Sequence, residues 1–220
     1  MQSQLWCKIC GITNSQDALA VQRAGADAMG LVFYPASKRY ISLQQAAEIS
    51  AVVDRVTKVG LFVDPEADAV RRSIDAAGLD LLQFQGDEPA AFCEQFGLPY
   101  MKGVRVGMAG LDAEAVIEAY SSAWAFLLDT YVDGEHGGTG QSFDRALWPD
   151  RADARLILAG GLAPDNVASA IADIAGRGGR LFGVDVSTGV ELSIDGLRDK
   201  RKKDPVAIDT FVNEVNHAHR

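Results

Sequence analysis

The sequence predicts an α/β protein in which eight parallel strands, each followed by a helix, close into a single barrel. Two observations predict it. Short apolar runs alternate with longer amphipathic stretches along most of the chain, the pattern of parallel strands joined by helical crossovers. Eight such units in 220 residues come to roughly 27 residues each, a length that suits barrel closure. A doubly wound open sheet is the rival, and it lacks a G-x-G-x-x-G turn after its first strand.

The elements follow in order. Residues 5–10 read as a strand, Ser15–Ala24 as a helix and residues 27–33 as the second strand. Residues 42–52 are helical, with Ser42 as N-cap and Gln45 three places on completing a capping box. Then come residues 58–63 (strand), 65–76 (helix, with Pro65 in its first turn), 79–84 (strand) and 89–96 (helix). Residues 99–104 and 124–129 are strands around a helix at 112–119. A glycine-rich segment at 134–140 and a short helix at 143–147 lead to a strand at 155–159. The chain ends with a helix at 164–174 (Asp165 and Asn166 in its first turn), a strand at 181–187 and a helix at 205–217. No proline- or serine-rich linker interrupts this order, so residues 1–220 are expected to form one (β/α)8 TIM barrel domain.

Composition bounds the partners. Hydrophobic residues make up 48% and charged residues 23%, which excludes a disordered or fibrous chain. Thirty acidic against 21 basic side chains leave a net charge of -9, which argues against nucleic acid and still allows a local basic pocket for a small anion. The basic run at 198–203 (RDKRKK) is read as a solvated loop before the last helix, not as a nucleic-acid or membrane patch. Cys7, Cys10 and Cys93 offer no disulfide framework and suit a reducing cytoplasm. No apolar run approaches the ~20 residues of a membrane helix, and no secretory signal is visible.

In such a barrel the loops after the strands share one face, where chemistry gathers. The informative residues are therefore Cys10, Ser37-Lys38-Arg39, Gln83, Gln85, Arg105, Asp129, the glycine loop at 137–140, Gly160-Gly161, and residues 185–189. Cys7 and Cys10 form C-x-x-C, but strand side chains alternate, so Cys7 should face the helices while Lys8 and Cys10 face the axis. That opposes a disulfide, and no second C-x-x-C completes a zinc site. An inert core cysteine is the plain alternative for Cys10. Asp129 closes the run AFLLDT, where partial desolvation should raise its pKa; work as a general acid near neutrality needs a value ~3 above the ordinary ~3.9. The alternatives are a turn cap or an ion pair with a neighbour such as Lys8. Gly160, Gly161, Ser187, Thr188 and Gly189 follow the seventh and eighth strands, where glycine loops and helix starts commonly hold phosphate; either loop alone is only a tight turn. His136, His217 and His219 are too scattered for a metal site, and all three read as surface residues.

Six segments together resemble the phosphoribosylanthranilate isomerase family of tryptophan biosynthesis. They are KICGIT (8–13), GADAMGLVFYPASKRYIS (25–42), LLDT (127–130), GGTGQSFD (137–144), AGGLAPDNV (159–167) and VDVSTGVE (184–191). The resemblance implies an aldose–ketose isomerase that performs an acid–base Amadori rearrangement of a phosphorylated aminoribose without metal or cofactor. It implies Asp129 as the acid and Cys10 as the base. Arg39 would hold the anthranilate carboxylate, Asp185 the sugar hydroxyls, and Gly160, Gly161, Ser187, Thr188 and Gly189 the phosphate; Gln83 joins them as a substrate-binding residue. The expected partner is a small phosphorylated molecule, for a monomer or homodimer in the cytoplasm. Two features depart from the family pattern: Gln85 stands where many members have histidine, and residues 192–203 are longer and more basic than expected. Indoleglycerol-phosphate synthase, the neighbouring phosphosugar barrel, would want an inward catalytic lysine and glutamate. A catalytically dead binding module would lack the thiol or the carboxyl.

Overall fold

The register at one seam closes the sheet. In the computed structural model, which describes residues 4–106, 112–130, 148–151 and 153–218, β1 (Trp6–Cys10) pairs in parallel with β2 (Ala28–Val32) on one side. On its other side it pairs with β8 (Gly183–Val186), Lys8 opposite Asp185. Between them run β3 (Thr57–Phe62), β4 (Leu81–Phe84), β5 (Tyr100–Val106), β6 (Ala125–Thr130) and β7 (Leu156–Leu158), all parallel, in sequence order. The result is the closed eight-stranded barrel expected from the alternation of elements.

Two apolar clusters follow from strand alternation. Ala28, Val59, Leu81, Met101, Ala125, Leu127, Ile157 and Ala159 point inward and fill the lower part of the axis. The intervening side chains, Cys7 among them, join a larger layer between the strands and helices. At the amino-terminal end of the strands Trp6, Trp124 and Phe182 pack edge to face, with centroids 5.5 Å (Trp6–Trp124) and 5.3 Å (Trp124–Phe182) apart, and the Arg155 guanidinium lies over two of these rings. The opposite end is lined with polar side chains, so the barrel is dry and aromatic at its base and polar at its mouth.

The helices are set by local signals. In α1 (Ser15–Ala24) the Asn14 side chain accepts from the Asp17 amide, and Gly25 ends the helix at φ 78°. In α2 (Leu43–Ser50) Ser42 and Gln45 form the expected reciprocal capping box. Then follow α3 (Ala67–Ala77), α4 (Ala90–Glu94), α5 (Ala113–Ala119), α6 (Val167–Gly176) and α7 (Pro205–Ala218). The glycine-rich segment at 134–140, with His136, and the helix expected at 143–147 lie outside the described residues, as does His219. His217 is exposed, its ring Nδ1 lying 2.7 Å from the Asn213 carbonyl.

Three expectations need correction. Pro65 precedes α3, whose N-cap is Glu66, so the proline lies before the first turn. The helix expected from residue 164 begins at Val167, because the Asn166 side chain accepts from the Ala163 amide and donates to the Gly161 carbonyl, holding a turn in place of helix. Residues 198–203 are not a loop. They belong to β10 (Leu197–Lys203), antiparallel to β9 (Glu191–Ile194), with Asp195 and Gly196 both at positive φ (52° and 78°) in the turn between them.

Phe84 is fully buried against Phe62, Phe92, Phe96 and Tyr100. Phe84→Ala is therefore expected to lower the free energy of unfolding by about 3–5 kcal/mol, read from urea denaturation.

Candidate active site

Inward alternation carries Lys8 and Cys10 on β1, Gln83 on β4, Asp129 on β6 and Asp185 on β8 to the polar mouth of the barrel. Cys10, Arg39, Gln83, Gln85, Asp129, Asp185 and Ser187 share the wall of a cavity of about 350 Å³. A second cavity of about 620 Å³ adjoins it, lined by Gly160, Gly161, Thr188, Gly189 and the start of α6. Asp129, Asp185, Ser187 and Lys200 line both. The thiol and the carboxyl singled out from the sequence thus face one space, and the two glycine loops face a space continuous with it. Arg105, another strand-end residue, instead donates to the Gln85 carbonyl.

Lys8 is fully buried, and its ammonium lies 2.7 Å from Asp185 Oδ1. Burial pulls its pKa down, but the charges of Asp185 and Cys10 outweigh that and leave it raised, so Lys8 stays cationic beside the sulfur. Gly30 makes the room: a Cβ there would stand 2.7 Å from Cys10 Sγ and 3.2 Å from Lys8 Cε. Gln83 donates to Gln85 Oε1 at 3.0 Å, while its own buried Oε1 has no hydrogen-bond partner among the described residues and faces the cavity as an acceptor.

Around the second cavity, Gly160 and Gly161 both sit in the left-handed region (φ 83° and 65°). Gly189 approaches the next loop so closely that a Cβ would strike the Leu162 backbone. The Ser187 hydroxyl donates to the Cys10 carbonyl at 3.0 Å and accepts from Lys203 Nζ at 3.3 Å, which ties the last loop to the first strand.

Sequence reasoning did not find the charged cluster behind Arg39. The buried Glu191 takes the Arg39 Nε (2.7 Å) and Nη2 (2.5 Å), and Nη2 also reaches Thr188 Oγ1 at 2.9 Å. Nε and Nη2 are thus engaged within the protein, and a carboxylate ligand would meet Arg39 through Nη1. Lys203 Nζ lies 3.9 Å from the same Glu191 oxygen. No local signal marked Glu191, whose partner Arg39 is distant in the chain, or Lys203, whose run was read as loop. Nor did any mark Lys200, in the same run.

A sequence profile described as N-(5'-phosphoribosyl)anthranilate (PRA) isomerase matches residues 7–212. The chain belongs to this isomerase family. An N-(5'-phosphoribosyl)anthranilate isomerase of Pseudomonas fluorescens is 50% identical over 213 residues, 96% of each chain. The crystal structure of the Thermotoga maritima phosphoribosyl anthranilate isomerase superposes with a TM-score of 0.83 at 37% identity, covering 97% of this chain and 99% of that one. A second solved isomerase of the family, in complex with reduced 1-(o-carboxyphenylamino)-1-deoxyribulose 5-phosphate, gives 0.78 at 35% identity, covering 97% and 99%. Family membership accounts for the barrel and for the order of its strand-end motifs. Among the described residues no group of His, Cys, Asp and Glu could hold a metal, and no helix is long and apolar enough to cross a membrane.

Two outcomes follow from the electrostatics. Burial pushes the Cys93 thiol up to about 12, leaving about one thiolate in 10⁴ at pH 8, and burial also raises Cys7. Cys10 opens on the cavity, so a small alkylating reagent at pH 8 should label Cys10 first, as peptide mass mapping would read. Lys203 is lowered from 10.5 to about 8 by burial and then by Arg39. Its contribution to stability is accordingly full above pH 10.5 and lost as the pH falls through about 8, because the unfolded lysine keeps its proton across that window. The change in urea midpoint from about pH 8 to about pH 10 should be more positive in wild type than in Lys203→Met.

Proposed function

We infer that the chain isomerises N-(5'-phosphoribosyl)anthranilate to 1-(2-carboxyphenylamino)-1-deoxyribulose 5-phosphate, a step of tryptophan biosynthesis, with Asp129 as general acid and Cys10 as general base. The observation that carries the reading is the shared cavity: a thiol and a carboxyl line one space that runs on into a glycine-walled pocket. An Amadori rearrangement asks for one acid and one base acting on one sugar.

Asp129 gives its proton to the furanose ring oxygen as the C1–O bond breaks, and the anilino nitrogen lone pair forms the C1 iminium. Cys10, as thiolate facing the Lys8 ammonium, then takes the proton from C2. The C–H electron pair becomes the C1–C2 double bond and the nitrogen recovers its pair. The resulting enol tautomerises: C1 takes a proton from the Cys10 thiol, the C2 hydroxyl gives one to the Asp129 carboxylate, and the ketone remains with both groups restored. Every proton and electron pair is placed, so the scheme balances without a metal, nicotinamide or flavin.

Binding follows the cavity walls. Arg39 offers its Nη1 to the anthranilate carboxylate, while Glu191 and Thr188 hold its Nε and Nη2. Gln83 and Asp185 meet the sugar hydroxyls. Gly160, Gly161, Ser187, Thr188 and Gly189 receive the phosphate on backbone amides. The partner is a small phosphorylated molecule, with neither nucleic acid nor membrane involved, and the chain acts as a monomer or homodimer. Three free cysteines support a cytoplasmic location.

Cys10→Ala and Asp129→Ala are each expected to lower kcat by at least ~100-fold while the affinity for a product analogue stays near wild type. The loss of phosphoribosylanthranilate fluorescence reads the first and calorimetry the second. Full turnover in either variant removes that residue from the scheme.

A further inference from the structure

The glycine-walled pocket is rich in carboxylates. Asp129, Asp165 and Asp185 all line it, in a chain of net charge -9. Asp185 is paired with Lys8 and Asp129 carries the proton the scheme needs, so Asp165 is the carboxylate whose charge a phosphate monoester of roughly -1.5 to -2 would meet, and backbone amides supply no full positive charge to answer it. Two cations line the same pocket, Arg198 and Lys200, and both come from β10.

Strand alternation explains their direction. Positions 198 and 200 share one face of β10, which is the face toward the pocket. Arg201, on the other face, donates to the Tyr40 carbonyl at 3.1 Å, beside the segment that carries Arg39. The hairpin is also fastened at several further points. Arg198 Nη1 donates to the Thr188 carbonyl at 2.9 Å, the Thr13 hydroxyl donates to the Arg201 carbonyl, and the Lys203 amide donates to Asp17 Oδ2 at 2.8 Å. Lys203 Nζ donates to the Ser187 carbonyl at 2.9 Å. Among the described residues neither Arg198 nor Lys200 is paired with a carboxylate. Lys200 lines both cavities and therefore stands where a sugar phosphate would cross from one to the other.

We propose that the β9–β10 hairpin is a cationic wall of the phosphate pocket, with Lys200 and Arg198 binding the phosphate monoester of the substrate opposite the glycine loops. The proposal rests on the isomerase reading for its substrate and adds two side-chain ligands to a cradle otherwise made of backbone. The basic run of the hairpin becomes a means of holding a dianion in an acidic protein.

The test uses the full chain and the paired substitutions Arg198→Gln with Lys200→Gln, and Arg198→Lys with Lys200→Arg. Loss of charge-assisted hydrogen bonds should raise KM and the dissociation constant for inorganic phosphate by at least ~10-fold in the glutamine pair. Its kcat should stay within ~2-fold of wild type, since phosphate held equally in ground and transition states affects binding alone. The charge-keeping pair should retain most of the affinity for phosphate, followed by ³¹P NMR. The proposal is overturned if the glutamine pair binds phosphate like wild type. It is equally overturned if the charge-keeping pair is as impaired as the glutamine pair, for then the fold of the hairpin and not its charge is at work. Phosphate binding needs no turnover, so a wild-type chain that binds phosphate through these residues but leaves phosphoribosylanthranilate unchanged defeats the isomerase reading alone.

Discussion

Lys8 and Asp185 meet at the seam where the first and last strands close the barrel, and the rest of the site depends on that contact. Both charges are drawn out of water, and a buried ion pair is no net stabiliser by default. Breaking such a pair by removing one partner costs about 3–5 kcal/mol, because the other charge is left uncompensated. Closure in the right register is what supplies each with its partner, Lys8 directly opposite Asp185. The same pair places a permanent positive charge beside Cys10 and holds Asp185 at the wall shared by both cavities. Strand pairing, the charge beside the Cys10 sulfur and the shape of the pocket thus have one origin.

The barrel's polarity along its axis is the second constraint. Small and medium apolar side chains fill the lower interior, and the tryptophan–phenylalanine cluster seals the base. Polar residues are confined to the carboxyl ends of the strands, where they can reach a ligand or one another. Glycine decides how closely they pack. Gly30 leaves space for Cys10 and Lys8 side by side, and Gly189 lets the last two strand-end loops touch backbone to backbone. Larger residues at these positions would spread the site before any chemistry could occur.

A third set of contacts joins the hairpin to the catalytic mouth. Glu191 opens β9 and grips Arg39 from the second strand's loop, while Lys203 closes β10 and reaches Ser187, which in turn bonds the Cys10 carbonyl. The two ends of the hairpin therefore brace Arg39 and the strand that carries the thiol. Arg198 and Lys200, in between, are left on the face that looks into the phosphate pocket.

Much of this was legible in the chain itself. Apolar alternation marked the strands, Ser42 with Gln45 marked a helix start, and alternation along β1 already separated Cys7 from Cys10. The hairpin was legible too, in the Asp195-Gly196 pair that favours a tight turn, but the strong charge of the run after it suggested solvent. Side-chain period, capping and turn chemistry are local, acting over a few residues, so the sequence by itself determined where strands, helices and strand-end polar groups fall. The partnerships of Lys8 with Asp185 and of Arg39 with Glu191 span 177 and 152 residues of chain and left no local mark. Only closure of the barrel decided them, because an ion pair between distant segments exists only once the backbone has brought both charges to one place and removed the water between them.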